Sequence, residues 1–140
     1  MKGSYILLIK LPEEETISTG SLQSIHFHRG YYAYVGSAMN GFKARLNRHL
    51  KKNKKLHWHI DYLLQKASLT SIVLCESEHR TECTIAQALK CQFDSIPSFG
   101  ASDCHCASHL FFATNGSKMK SIIIATLASL GMQPRLAEEN

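Results

Sequence analysis

The pattern of apolar positions near the N-terminus predicts a buried central β-strand. Between Gly3 and Leu11 nearly every residue is apolar, so both faces of an extended segment are apolar there. A strand of this kind is typical of the middle of a sheet that is covered on both sides. Residues 24–28 and 31–37 are rich in β-forming residues and predict two further strands, joined by a turn at Arg29-Gly30. An antiparallel N-terminal sheet follows from this order.

Helical spacing of apolar residues dominates the rest of the chain. Phe42, Leu46 and Leu50 recur every four residues and predict a helix over residues 40–53. Short β-forming runs predict strands at residues 71–75 and 110–113, with a loop at residues 97–100. Further helices are expected at residues 57–67, at residues 82–90 after an N-cap at Thr81, and at residues 118–130. The predicted fold class is α+β: a small, mostly antiparallel central sheet flanked by helices.

The length of 140 residues predicts one domain, residues 1–140, large enough to bury a core without disulfides or a metal. The longest apolar runs are far too short to cross a bilayer, and the first residues lack the pattern of a signal peptide. We therefore expect a cytoplasmic protein without membrane contact, whose five cysteines are thiols in a reducing compartment.

Positive charge is concentrated in one segment of this chain. Residues 43–55 hold seven of the sixteen lysines and arginines and no acidic residue. The other nine basic residues are outnumbered by the eleven acidic ones, so this segment carries the whole positive excess. Such a block is typical of a surface that binds a polyanion such as nucleic acid, but it also occurs on solvated helix faces. The candidate nucleic-acid contacts are Lys43, Arg48, Lys51, Lys52, Lys54 and Lys55.

Two short motifs and their continuation resemble the GIY-YIG nuclease superfamily. Gly3-Ser4-Tyr5 opens the first strand, and Tyr34-Val35-Gly36-Ser37 ends a later strand. Arg45 and His49 follow nine and thirteen residues after Gly36, on the basic helix. The chain is most similar to a poorly characterised archaeal and bacterial branch of that superfamily, sometimes fused to endonuclease III-type DNA-repair enzymes. Matching segments at residues 57–63 and 102–111 extend the resemblance over most of the chain.

The resemblance implies a metal-dependent endonuclease of DNA repair or processing, with the site residues Tyr5, Tyr34, Arg45, His49 and Glu82. Glu82 would hold one Mg²⁺ or Mn²⁺ ion, which prefers oxygen ligands. Arg45 would bind the scissile phosphate through its guanidinium fork. Tyr5 and Tyr34 would line the cleft and orient the attacking water, and His49 would bond a tyrosine or the water. Each residue also has an ordinary interpretation: packed strand tyrosines, a surface arginine and a carboxylate favoured at a helix N-terminus.

A second group of polar residues has no role in the nuclease site described above. Its members are His57, His59, Asp61, Asp103, Cys104, Cys106 and His109. A polar network beside the cleft is one interpretation, in which Asp103 and His109 orient catalytic groups or add a carboxylate to the metal. Zinc held by Cys104, Cys106 and His109, with Cys83 or His57, is the other.

Three functions therefore stay open at the level of sequence. The first is a metal-dependent phosphodiesterase that acts on DNA rather than RNA. The second is a nucleic-acid-binding module on the same fold that does not cut. The third is an interaction domain stabilised by zinc. Protein partners and oligomeric state are not indicated by the sequence.

Overall fold

A six-stranded antiparallel sheet organises the protein in its computed structural model, which describes residues 1–137. Residues 138–140 of the predicted domain lie outside this part. The strand order is β6-β7-β4-β1-β5-β8. A separate two-stranded ribbon, β2–β3, lies between β1 and β4 in the sequence. The strands are β1 (Gly3–Leu11), β2 (Glu15–Ser18), β3 (Ser24–Phe27), β4 (Gly30–Ala38), β5 (Ser68–Glu76), β6 (Asp94–Ser95), β7 (Leu110–Ala113) and β8 (Arg135–Leu136).

Helices cover both faces of the sheet. The helices are α1 (Phe42–Leu50), α2 (His59–Leu64), α3 (Glu82–Lys90) and α4 (Gly116–Ser129), with one 3-10 turn at Gly20–Leu22. The side chains of Tyr5, Leu7 and Ile9 join one buried cluster with α1 and α2. Those of Ile6 and Leu8 join a second cluster with α3 and α4. The alternation of side chains along β1 therefore divides the core into two halves.

This architecture confirms the predicted α+β fold and the central position of β1, which pairs with β4 on one side and β5 on the other. The ribbon strand β2 and the two-residue strands β6 and β8 were not predicted. All three are short, and β6 and β8 pair over only two residues each, so local sequence carries little signal for them.

The predicted helix at residues 40–53 is correct in place but too long at both ends. Gly41 precedes its first turn, and Lys51 leaves it with an extended backbone. The Lys54 ammonium donates to the carbonyl oxygens of Arg48 and His49 and so satisfies the last turn. Leu50, expected on the buried stripe, is 55% exposed. The helix contacts the core mainly through Phe42 and His49.

Within residues 1–137 all five cysteines are free, in agreement with the expectation of thiols. None of the helices in this part of the chain combines the length and apolar character needed to cross a bilayer.

The Tyr-x-Gly motif of β4 has a packing reason. Gly36 lies opposite Tyr5 in the antiparallel register, and a Cβ atom on Gly36 would overlap the Tyr5 ring. Tyr5 is 2% exposed and has no free space to move into. A glycine at position 36 is therefore needed for the Tyr5 ring to cross the neighbouring strand.

We expect Gly36→Ala to lower the free energy of unfolding by about 1–3 kcal/mol, the usual cost of overpacking a core. Urea denaturation measures the change. Ser37→Ala is the matched control on the same strand, because the buried Ser37 hydroxyl has no hydrogen-bond partner in the described structure. Equal stability of the Gly36→Ala variant and the wild type would contradict this account of the motif.

Candidate functional site

A cleft of about 720 Å³ opens at the end of the sheet where β4 finishes and α3 begins. Four of its lining residues come from segments distant in sequence: Tyr34 on β4, Arg45 on α1, Trp58 before α2 and Glu82 on α3. The predicted site residues His57, His59 and Asp103 also line it. Unpredicted lining residues include Tyr62 and Arg80. The cleft thus unites two guanidinium groups, two carboxylates and two tyrosines.

Tyr5 and His49 lie beneath this cleft rather than in its lining. This corrects the prediction that Tyr5 lines the cleft, whereas His49 bonds a tyrosine, one of its two expected partners. The Tyr5 hydroxyl lies 2.6 Å from His49 Nε2, in a buried hydrogen bond. Burial raises the pKa of Tyr5 to about 12, although the Arg45 charge opposes the shift. Burial, helped by the Lys54 charge, lowers the pKa of His49 to about 4. The pair is therefore neutral at physiological pH and supports the cleft floor.

Of the two predicted tyrosines, Tyr34 is the one that lines the cleft. Burial, reinforced by the neighbouring Tyr5 and Glu82, raises the pKa of its phenol well above the usual value. Its ring meets the rings of His49 and Phe99 edge-on, at centroid distances of 6.2 Å and 6.3 Å. The protonated hydroxyl is consequently a hydrogen-bond donor or acceptor in a fixed place, and not a ready base at neutral pH.

Arg45 is held from two sides. Its Nη1 donates a 2.8 Å hydrogen bond to the carbonyl oxygen of Ser37 at the end of β4. Its guanidinium also stands 4.5 Å from the centre of the Trp58 ring. Nη1 and one face of the guanidinium thus already have partners. The remaining N–H donors of this half-buried side chain are available to an anion in the cleft.

Asp61 is the buried centre of the wall that carries Trp58, beside the cleft, as the interpretation of a polar network expects. Its fully buried carboxylate accepts two 2.8 Å hydrogen bonds from Arg48. The backbone N–H groups of His57 and Trp58 donate to the same carboxylate, each at 2.8 Å. Burial alone would raise the pKa of Asp61, but these donors outweigh it and hold the pKa at about 2.

This network changes the interpretation of the basic segment. Arg48 pairs with Asp61 and lies 4.0 Å from the centre of the Trp58 ring. Lys54 has a side chain only 5% exposed and lies 3.8 Å from Asp61. Both residues therefore make internal contacts, and their prediction as nucleic-acid contacts is corrected. Lys43, Lys51, Lys52 and Lys55 are exposed, as a phosphate-binding role requires.

His59 has a structural contact on each ring nitrogen. Its Nδ1 accepts a hydrogen bond from the Gly100 backbone at 2.9 Å, and its Nε2 lies 3.1 Å from the Ser21 hydroxyl. It thereby ties the 3-10 turn to the loop before β7. His57 and Asp103 are exposed at the cleft rim. Of these three predicted residues, only His57 and Asp103 have side chains exposed to solvent.

Glu82 occupies the first turn of α3 and is partly exposed to the cleft, with 24% of its side chain accessible. Arg80 approaches one carboxylate oxygen at 3.7 Å. Nδ1 of the buried His109 lies 4.0 Å from the other oxygen. One side of the Glu82 carboxylate therefore faces the fixed imidazole of His109. The other side, toward the exposed Arg80, is open to a ligand.

Behind Glu82, four side chains form a group able to hold a metal ion: Cys83, Cys104, Cys106 and His109. Their ligand atoms all lie within 4.8 Å of one another. The fold thus brings together the predicted set of Cys104, Cys106 and His109. Of the two residues predicted as an additional ligand, Cys83 is the fourth member of the group. His57 is not part of this group. Burial raises the pKa values of Cys83 and Cys106; the adjacent thiols add to the shift of Cys83, whereas the hydrogen bond with Cys83 opposes the shift of Cys106.

Two important residues carried no recognisable sequence signal. Trp58 matters because it contacts both Arg45 and Arg48, and nothing in its local pattern indicates those partners. Arg80 lies in a polar turn, where an arginine is common. Only the resemblance of residues 57–63 to a known family marked the Trp58 segment as important.

A protein-family model described as "Domain of unknown function DUF123" matches residues 4–132. The chain belongs to the DUF123 family. No curated protein and no solved structure matches the chain. The matched DUF123 range contains the complete cleft lining, the Asp61 network and the Cys/His group.

The Asp61 network of this DUF123 protein predicts a specific pH dependence. Because the folded-state pKa of Asp61 is lower than its unfolded value, its stabilisation is complete above about pH 5 and decreases as the pH falls toward 2. The difference in unfolding free energy between wild type and Asp61→Asn should narrow by about 1 kcal/mol from pH 6 to pH 3. Urea denaturation at several pH values measures this difference. Asp94→Asn, at an exposed position, should show no such change. A constant difference for Asp61→Asn would refute the low pKa.

Proposed function

We propose that this protein is a metal-dependent phosphodiesterase that cuts DNA in repair or processing. The observation that carries the proposal is the single cleft in which Arg45, Tyr34 and Glu82 meet from three separate elements. Hydrolysis of a phosphodiester needs positive charge at the phosphate and a carboxylate for a divalent cation. The resemblance to GIY-YIG nucleases assigns these roles to the same residues. It therefore supports the proposal independently of the cleft geometry.

Arg45 would bind the scissile phosphate. The Ser37 carbonyl and the Trp58 ring hold its guanidinium before any substrate arrives, so little side-chain entropy is lost on binding. A held guanidinium fork matches two phosphate oxygens at once and stays charged through the reaction.

The carboxylate of Glu82 would hold Mg²⁺ or Mn²⁺. Its partial exposure at the cleft and its oxygen donors fit a hard cation, and exposed Asp103 lies in the same lining. When bound, the cation would stabilise negative charge that develops on the phosphate. The Cys/His group offers soft thiolates instead, so the ion it would take is Zn²⁺ rather than Mg²⁺.

Tyr34 would orient the water or a phosphate oxygen through its protonated hydroxyl. The buried Tyr5–His49 hydrogen bond beneath it fixes the neighbouring rings at the floor of the cleft. Tyr5 is thus a positioning residue in this proposal, whereas Tyr34, Arg45 and Glu82 face the substrate.

The first prediction from this proposal concerns cleavage. Labelled single-stranded, duplex, flap and branched DNAs are incubated with the protein and Mg²⁺, Mn²⁺ or EDTA. We expect metal-dependent cutting of at least one substrate and a loss of about 10²–10³-fold in rate for Glu82→Gln and for Arg45→Lys. The conservative changes keep size or charge and remove the carboxylate or the fork.

Matched controls for this experiment are Glu78→Gln and Arg29→Lys, both at exposed positions outside the cleft lining. Both should cut like wild type. Circular dichroism and thermal melts show whether the two cleft variants remain folded. Salt-sensitive binding without cutting, on every substrate and with each metal, would replace the nuclease proposal by the alternative of a non-catalytic DNA-binding module.

The second prediction concerns affinity for duplex DNA. Four exposed lysines lie on α1 or in the segment after it: Lys43, Lys51, Lys52 and Lys55. Replacing all four by glutamine should flatten the slope of log K against log salt, by about 0.9 for each phosphate that the variant no longer neutralises. The charge-matched control replaces Lys10, Lys66, Lys90 and Lys118, also exposed, and should keep more of the wild-type slope. Equal slopes for the two variants would show that the basic segment is only a solvated helix face.

A further inference from the structure

The Cys/His group links the loop before β7 to the first turn of α3. Cys104, Cys106 and His109 lie in that loop, and Cys83 directly follows Glu82 on α3. The three cysteines are partly accessible, and His109 is only 2% exposed. An ion can therefore reach the group from the thiol side while the imidazole stays fixed.

The spacing within the group suits tetrahedral zinc. Cys104 Sγ lies 3.5 Å from His109 Nε2. Zinc bonds of about 2.3 Å to sulfur and about 2.0 Å to nitrogen, at tetrahedral angles, separate those two atoms by about 3.5 Å. The other ligand atoms, within 4.8 Å of each other, would need to close by about 1 Å or less. Four protein ligands fill the coordination sphere, as in structural zinc sites.

His109 has a fixed orientation before any ion binds. Its backbone N–H donates to the Phe99 carbonyl at 2.8 Å, and its carbonyl accepts from the Val35 N–H at 2.9 Å. These bonds fasten its backbone to β4 and to Phe99 in the same loop. In that position Nε2 faces the thiols and Nδ1 faces Glu82.

We propose that Cys83, Cys104, Cys106 and the Nε2 atom of His109 bind one zinc ion, and that the zinc-bound His109 positions Glu82 through its Nδ1–H. Zinc on Nε2 leaves the ring proton on Nδ1, so the imidazole becomes a permanent donor toward the Glu82 carboxylate. The 4.0 Å separation then shortens to a hydrogen bond. The thiol protons leave to solvent as thiolates form, and no redox change occurs.

This inference rests on the proposed function only for what Glu82 does afterwards, namely holding the catalytic cation. The zinc centre itself and the hydrogen bond from His109 require no nuclease activity. A zinc-loaded protein that fails to cut DNA would therefore refute the proposed function and leave the zinc centre standing.

The first test measures metal content and geometry. Wild-type protein purified without chelator should contain about one zinc per chain, and its cobalt form should show thiolate charge-transfer and tetrahedral ligand-field bands. Cys83→Ser and Cys106→Ser should lose most of the zinc, whereas Cys91→Ser, at an exposed position outside the group, should keep it. The proposed ligand set would be overturned if the wild-type protein contained no zinc, or if the Cys83→Ser variant retained its zinc.

The second test measures the positioning contact in zinc-loaded protein by nitrogen-15 NMR. His109 should show zinc on Nε2 and a slowly exchanging Nδ1–H signal that shifts in Glu82→Gln. His109→Cys is the matched variant, since four thiolates still bind zinc but no ring donor remains. It should keep its zinc and bind Mn²⁺ at least about 10-fold more weakly than wild type. If the Nδ1–H signal did not shift in the Glu82→Gln variant, the positioning role of His109 would be overturned.

Discussion

The buried carboxylate of Asp61 determines the shape of the cleft wall. An isolated charge without water would be strongly destabilising, so its four donors must stay in place for the protein to fold this way. Those donors come from α1 and from the two residues that precede α2. Because Trp58 is one of these residues, the same bonds fix the ring on which Arg45 rests. The orientation of the cleft arginine thus depends on a charge pair that lies outside the cleft lining.

The same network explains why a count of basic residues along the sequence overstates the exposed positive charge. The basic segment looks uniform in the sequence, yet Arg48 and Lys54 compensate Asp61 and cap α1, and only the other lysines face solvent. The partner carboxylate lies thirteen residues after Arg48 and six after the end of the segment. No rule of local spacing connects them, because the pairing depends on how α1 and α2 pack.

The sequence predicts the strands and helices that depend on the spacing of apolar residues, and the main elements of this fold follow that spacing closely. Strand β1 is apolar on both faces and is central, and α3 has the bounds predicted for the helix at residues 82–90. The candidate site is less predictable. Tyr5 and Tyr34 are the same type of residue on neighbouring strands. Gly36, opposite Tyr5, leaves room for the Tyr5 ring beneath the cleft, whereas the Tyr34 ring lines the cleft. That distinction requires the strand register, which a single sequence does not provide.

The loop before β7 connects the stability of the fold to the geometry of the cleft. A long connection of this kind is costly to order, since its backbone groups need partners and it has few apolar side chains. Phe99 fills the core, while His59 and the backbone of His109 fasten each end. In the middle of the loop, Cys106 packs against the second buried cluster, and the thiols of Cys104 and Cys106 lie beside Cys83 and His109. An ion at those thiols would fix this part of the loop and the first turn of α3 together. The stability of the loop and the geometry of Glu82 would then have one common cause.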